Sequence, residues 1–268
     1  MSSVESGYAE VNSTKLYYEM AGEGESIVLI HGNGGDRRHW DDQFEPLSQY
    51  HRVLRYDVRG FGKSSMPVEG VPYSHHDDLK ALMDYLDIEK AHICGLSMGC
   101  GIAVDFVLVY PELSSSLIAV GPWAFGYDSP AGRALNSVMS EVPNVLKERG
   151  AKAATDHLFD NIFARALDTE GAKRTRQIGY EYNFWSFSHK NPAVYLSPRA
   201  AQQLDRISQP TLIVTADKDL DVCKEIADLM EQIIPNSTKT EFIGAGHVMN
   251  VDKPEEFNRL VLDFIEGL

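Results

Sequence analysis

Gly95-Leu96-Ser97-Met98-Gly99 places a serine between two glycines, each two positions away. A serine nucleophile must stand clear of the backbone on a tight, strained turn. Side chains two residues to either side would collide there, so glycine fits both places. Gly and Ser are common, and the pattern needs context. A strand-like run precedes it and an apolar helical run follows, whose N-terminus favours negative charge. A second segment, His31-Gly32-Asn33-Gly34-Gly35, is a glycine-rich bend after an apolar run. Such a bend leaves backbone N–H groups free to meet an anion. The expected anion is the oxyanion of acyl transfer, held between the N–H groups of Asn33 and Met98. One such donor contributes roughly 2.7–4 kcal/mol in the transition state. His31 is read as the organiser of this bend, not as a base.

Acyl transfer by serine also needs a base and a group to orient it. Gly244-Ala245-Gly246-His247 puts a histidine on a loop after the last strand-like run, where a general base fits. His39, His51, His75, His76, His92, His157 and His189 are read by default as surface or packing residues. Asp217-Lys218-Asp219-Leu220-Asp221 follows another strand and offers three carboxylates that could hold the imidazole. Asp128 is a remote alternative. Cys94, Cys100 and Cys223 have no CxxC spacing and no histidine placed beside them, so they are read as small buried hydrophobes of a reducing compartment. No spaced set of ligand residues calls for a metal, and no cofactor is expected.

These residues need a scaffold that brings several strand ends together. Short β-branched runs alternate with amphipathic ones. Tyr8 to Asn12 and Leu16 to Met20 read as a hairpin. Ser26 to Ile30, Arg52 to Tyr56, Ala91 to Gly95, Ser116 to Val120, Thr211 to Ala216 and Thr240 to Ile243 read as strands. Helices are expected over Ser74 to Leu86, Met98 to Tyr110, Val222 to Ile233 and from Pro254 onward. The alternation predicts an α/β fold: a mostly parallel sheet with helices on both faces. From about Pro122 to Arg206 the rhythm breaks into helical runs dense in aromatics. The expected division is a core of residues 1–121 and 207–268, with a helical cap insertion at 122–206. Trp123, Phe125 and Trp185 are candidate substrate-binding residues, although any one of these aromatics could equally serve the insertion's own core.

Composition narrows the classes. The 268 residues are 43% hydrophobic and 24% charged, which excludes a disordered chain. With 39 acidic against 25 basic residues the formal charge is -14, which opposes nucleic acid and anionic lipid as partners. No basic and apolar leader is visible at the N-terminus, and no apolar run is long enough for a membrane span, so a cytoplasmic protein is expected. The sequons at Asn12 and Asn236 would then be idle. Oligomeric state cannot be read.

The order nucleophile, acid, histidine resembles the α/β-hydrolase fold family along essentially the whole chain. His31-Gly32 with Trp40 resembles its oxyanion segment. Asp57-Val58-Arg59-Gly60-Phe61-Gly62-Lys63-Ser64 resembles the turn after its fourth strand, and Pro210 to Val214 resembles the strand that delivers the acid. In many members the acid lies three residues after a glycine. Ala216 stands in that glycine's place, so the resemblance assigns Asp219. It implies a triad of Ser97, Asp219 and His247 that forms an acyl-enzyme on small or medium carboxylic esters or lactones. A serine at the elbow speaks against haloalkane dehalogenases and epoxide hydrolases, which use aspartate there. Two other classes stay open: a slow-turnover ligand receptor that keeps the triad, and a cofactor-free perhydrolase or haloperoxidase.

Overall fold

The computed structural model describes residues 4–268. Eight strands form one sheet: β1 (Glu5–Val11), β2 (Thr14–Ala21), β3 (Ser26–Ile30), β4 (Arg52–Tyr56), β5 (Ala91–Leu96), β6 (Ser114–Val120), β7 (Thr211–Ala216) and β8 (Ser237–Phe242). Their order is β1-β2-β4-β3-β5-β6-β7-β8. β1 and β2 make the expected hairpin, which pairs antiparallel to β4; every other pairing is parallel. Asn12 and Ser13 sit at φ 46° and 58°, the left-handed pair that a two-residue hairpin turn demands.

Every residue of β3, β5 and β7 is buried, as expected for parallel strands covered on both faces. Period-two alternation sorts their side chains. Val28 and Ile30 point into one core, with α2 (His75–Tyr85), α3 (Met98–Val109) and α7 (Asp221–Ile233). Ile27 and Leu29 point into the other, with α1 (Asp41–Ser48) and α9 (Pro254–Glu266). Trp40 and Phe257 anchor that second layer, both fully buried with ring centroids 6.1 Å apart.

Between β6 and β7 the chain is helical. α4 (Pro130–Ile162) is broken at Gly150, whose φ of 82° no helix permits. α5 (Glu170–Gly179) and the short α6 (Trp185–Ser188) follow. An isolated bridge from Tyr73 to Ala193 ties this segment to the loop before α2, with Val194 N–H donating to the Tyr73 carbonyl at 2.7 Å. Ion pairs of Arg38 with Glu181 and of Arg174 with Asp42 tie it elsewhere. Its aromatics divide. Phe184 is 1% exposed and packs inward, whereas Trp123, Phe125, Phe163 and Trp185 line a cavity.

The register places the site. Ile30 pairs with Gly95, Leu96 with Val120, Val120 with Val214, and Ala216 with Phe242. β3, β5, β6, β7 and β8 therefore end nearly level, and the loops beyond them share one edge. The chain places β4 on one side of β3 and β5 on the other. The crevice at that reversal is where ligands bind in open α/β sheets. The last strand starts and ends earlier than its β-branched residues imply: it covers Ser237–Phe242, and Ile243 lies outside it, 67% exposed.

Candidate active site

Ser97 sits between β5 and α3 at φ 54° and ψ -114°. A non-glycine residue in this region carries about 1–3 kcal/mol of strain. Packing holds it there. Ser97 N–H donates to the Val120 carbonyl at 2.9 Å, and its own carbonyl accepts from Gly101 N–H at 3.1 Å. A Cβ on Gly95 would stand 2.2 Å from the Gly99 carbonyl oxygen, and one on Gly99 would stand 2.2 Å from that of Ile30. Both glycines of the motif are thus required by contact, as its spacing implied.

His247 and Asp219 meet beside it. His247 Nδ1 lies 2.6 Å from Asp219 Oδ1, with the carboxylate fully buried and the imidazole nearly so. The other oxygen contacts are the Leu220 N–H, donating to Oδ1 at 2.7 Å, and the Thr215 hydroxyl, 3.4 Å from Oδ2. The neighbouring acids have other partners. Asp217 accepts from the N–H groups of Gly244 and Ala245, which closes the loop leading to His247. Asp221 is exposed and pairs with Arg165. Asp128 is exposed and pairs with Arg133. Gly121, at φ 51°, packs against the imidazole: a Cβ there would stand 2.8 Å from Cε1. The sequence carried no signal for this contact.

Ser97 and His247 line one cavity of about 300 Å³ together with Asn33 and Met98. The hydroxyl and Nε2 are not hydrogen-bonded to each other in this conformation. Neither the Asn33 nor the Met98 N–H has an acceptor among the described residues. In enzymes without substrate such contacts are commonly open and tighten on binding. Trp123, Phe125 and Trp185 also line the cavity.

His31 is fully buried and holds the bend: its Nε2 accepts from Val58 N–H at 3.0 Å and its Nδ1 meets the Gly32 carbonyl at 2.8 Å. Burial keeps it neutral by lowering its pKa. His39 departs from the default packing role. Its Nδ1 accepts the Gly32 N–H at 3.2 Å and its ring lines the cavity. Burial pushes its pKa down to about 3. His75 lines the cavity too. The three cysteines are buried, and burial raises every thiol, Cys100 to about 12, so none is a thiolate at neutral pH. Asp219, Cys223 and His247 bring their heteroatoms within 4.8 Å of one another, the one such trio among the described residues. Its carboxylate and imidazole already pair with each other at 2.6 Å, and burial raises the pKa of its thiol.

Residues 25–254 match the family model of the alpha/beta hydrolase fold. The chain belongs to the α/β-hydrolase fold family. It is 31% identical over 272 residues, spanning 94% of this chain and 92% of the relative, to the 2-hydroxy-6-oxononadienedioate/2-hydroxy-6-oxononatrienedioate hydrolase 2 of Pseudomonas putida. A solved hydrolase from Pseudomonas aeruginosa superposes with a TM-score of 0.82 at 25% identity, covering 97% of this chain and 98% of that one. The enol-lactonase of Burkholderia xenovorans superposes at 0.78 with 27% identity, covering 97% and 100%. These relatives are hydrolases. No helix among the described residues is long and apolar enough to cross a membrane.

Proposed function

We propose that this hydrolase cleaves uncharged carboxylic esters or lactones through an acyl-enzyme on Ser97. His247 takes the serine proton as Oγ attacks the carbonyl carbon. Asp219 holds Nδ1 and stabilises the imidazolium. The N–H groups of Asn33 and Met98 hold the oxyanion, aided by the N-terminus of α3. His247 returns the proton to the departing alcohol oxygen. A water deprotonated by the same imidazole then attacks the acyl carbon, and Ser97 leaves with its proton restored. The helical segment at 122–206 acts as the cap that supplies the acyl wall with Trp123, Phe125 and Trp185.

The observation that carries the choice of substrate is the charge of the cavity wall. Arg59 is its one cationic side chain among the described residues. That guanidinium is 5% exposed and bound in two places to Asp78, at 2.6 and 2.8 Å. His39 and His75 are held neutral by burial. A carboxylate taken into such a cavity loses water without gaining a counter-ion, which costs several kcal/mol. The dioate named for the Pseudomonas putida relative is such an anion. A panel of p-nitrophenyl esters of increasing acyl length, run beside lactones and a dienoate, tests the reading. Faster turnover of the dienoate than of every neutral ester and lactone would overturn it.

A further inference from the structure

We propose that Arg59, Tyr73, His75 and Asn191 form a second recognition site on the cavity wall, which takes an uncharged oxygen function, a hydroxyl or keto group, carried by the substrate. This rests on the reading of the cavity as an ester or lactone site and adds to it the class of substituent preferred.

All four residues line the cavity that holds Ser97. Tyr73 joins them. The Arg59 guanidinium lies over its ring at 4.4 Å, the His75 ring packs edge-on with centroids 5.1 Å apart, and its hydroxyl donates to Asn191 Oδ1 at 3.3 Å. Each member retains unused hydrogen-bonding capacity. Arg59 spends Nε and Nη2 on Asp78 and the Asn12 carbonyl, while Nη1 has no acceptor among the described residues. His75 Nδ1 is a buried atom without a partner. Asn191 Oδ1 accepts from Tyr73 and from Ala193 N–H, while its Nδ2 has no acceptor among the described residues. Tyr73 donates its one proton and keeps lone pairs to accept.

His75 Nδ1 carries the sharpest signal of the four, because a buried polar atom left unpaired costs about 1–3 kcal/mol. A hydroxyl or carbonyl oxygen placed there would accept from Arg59 Nη1 and Asn191 Nδ2. A hydroxyl could also donate to the Tyr73 oxygen or to a neutral imidazole nitrogen. Charge selects against a carboxylate, since Asp78 already neutralises Arg59. Specificity of this type is strong because a substrate lacking the oxygen leaves the wall unsatisfied.

The test compares kcat/KM for p-nitrophenyl 6-hydroxyhexanoate and 5-oxohexanoate with that for plain p-nitrophenyl hexanoate. The wild type should prefer at least one oxygenated ester by about tenfold or more, equivalent to about 1.4 kcal/mol. In His75→Phe and in Asn191→Leu that ratio should fall towards one. Asn191 is exposed at the rim, so its replacement leaves core packing intact. A ratio near one in the wild type, or a ratio unchanged in both variants, overturns the proposal. Hydrolysis of plain hexanoate reports separately on the ester reading. If no ester is cleaved, calorimetry of methyl 6-hydroxyhexanoate and methyl hexanoate with Ser97→Ala still decides: tighter binding of the hydroxylated ester supports the site, and equal affinities overturn it.

Discussion

At the scale of single residues the site rests on a few contacts that admit no alternative side chain. Replacing Ser97 with Ala should lower ester turnover by roughly 10⁴-fold or more while the circular dichroism spectrum stays native. Asp219→Asn leaves the shape of the site but removes the carboxylate that fixes the imidazole tautomer. A loss near 10⁴ in kcat is expected. Asp221→Asn should change kcat less than about threefold, since that acid serves only an exposed pair with Arg165. Equal losses in the two variants would count against Asp219. The placement of these residues beside one another was partly legible in the sequence. Ser97 and its two glycines follow from local geometry alone. His247 follows from its position after a strand. Three aspartates within five residues could not be separated by spacing, because their difference is one of burial and partner, which only the packed loops create. Gly121 was invisible for the same reason: its contact with His247 joins residues 126 positions apart.

At the scale of elements, the loops after β6 and β8 press together around His247, the proposed base. Gly121→Ala would drive a methyl into the His247 ring at a positive φ. A displacement near 1 Å at a reacting group costs about 10²-fold. The expected result is a fall in kcat of roughly that size, measured beside a melting temperature that drops by only a few degrees. The helix that follows Ser97 carries a different liability. Asp105 on α3 is buried, with Oδ1 unpartnered, and burial raises its pKa to about 7. His76 Nδ1 lies 4.0 Å away but is itself kept neutral by burial, and Arg199 opposes the shift only in part. The unfolded chain loses this proton near pH 4 and the native chain near pH 7. The native state therefore binds more protons between those values, and stability falls as pH rises through the window. Asp105→Asn should raise the melting temperature more at pH 8 than at pH 5; equal gains at both would contradict this origin. Strand and helix positions followed from hydrophobic period, including the hairpin and all of β7. β8 was misplaced because Phe242 is its one buried apolar residue, in an edge strand that reads STKTEF. α1 escaped notice because Pro46 and a polar first turn mask its two core residues, Phe44 and Leu47.

At the scale of the molecule, the charge of -14 and the neutral cavity point the same way. A p-nitrophenyl ester ending in a distal carboxylate should react at least about tenfold more slowly than its neutral homologue of equal length. Added salt should narrow the gap only slightly, because screening reaches the surface but not a buried pair such as Arg59–Asp78. Similar rates for the two esters would contradict the neutral-substrate reading. The fold as a whole was legible because alternating strands and helices leave few topologies. The shape of the cavity was not, since it arises where α4 to α6 meet the sheet edge through contacts such as the Phe61–Tyr182 stack, distant in sequence.

The proposed acyl-enzyme is open to direct detection. Turnover of p-nitrophenyl butyrate, quenched within the first catalytic cycles and digested for mass spectrometry, should show one butyryl group on the peptide containing Ser97. It should accumulate in a variant whose deacylation is slowed and be absent in Ser97→Ala. Hydrolysis that proceeds without that adduct, or with the acyl group on another residue, would contradict covalent catalysis by Ser97.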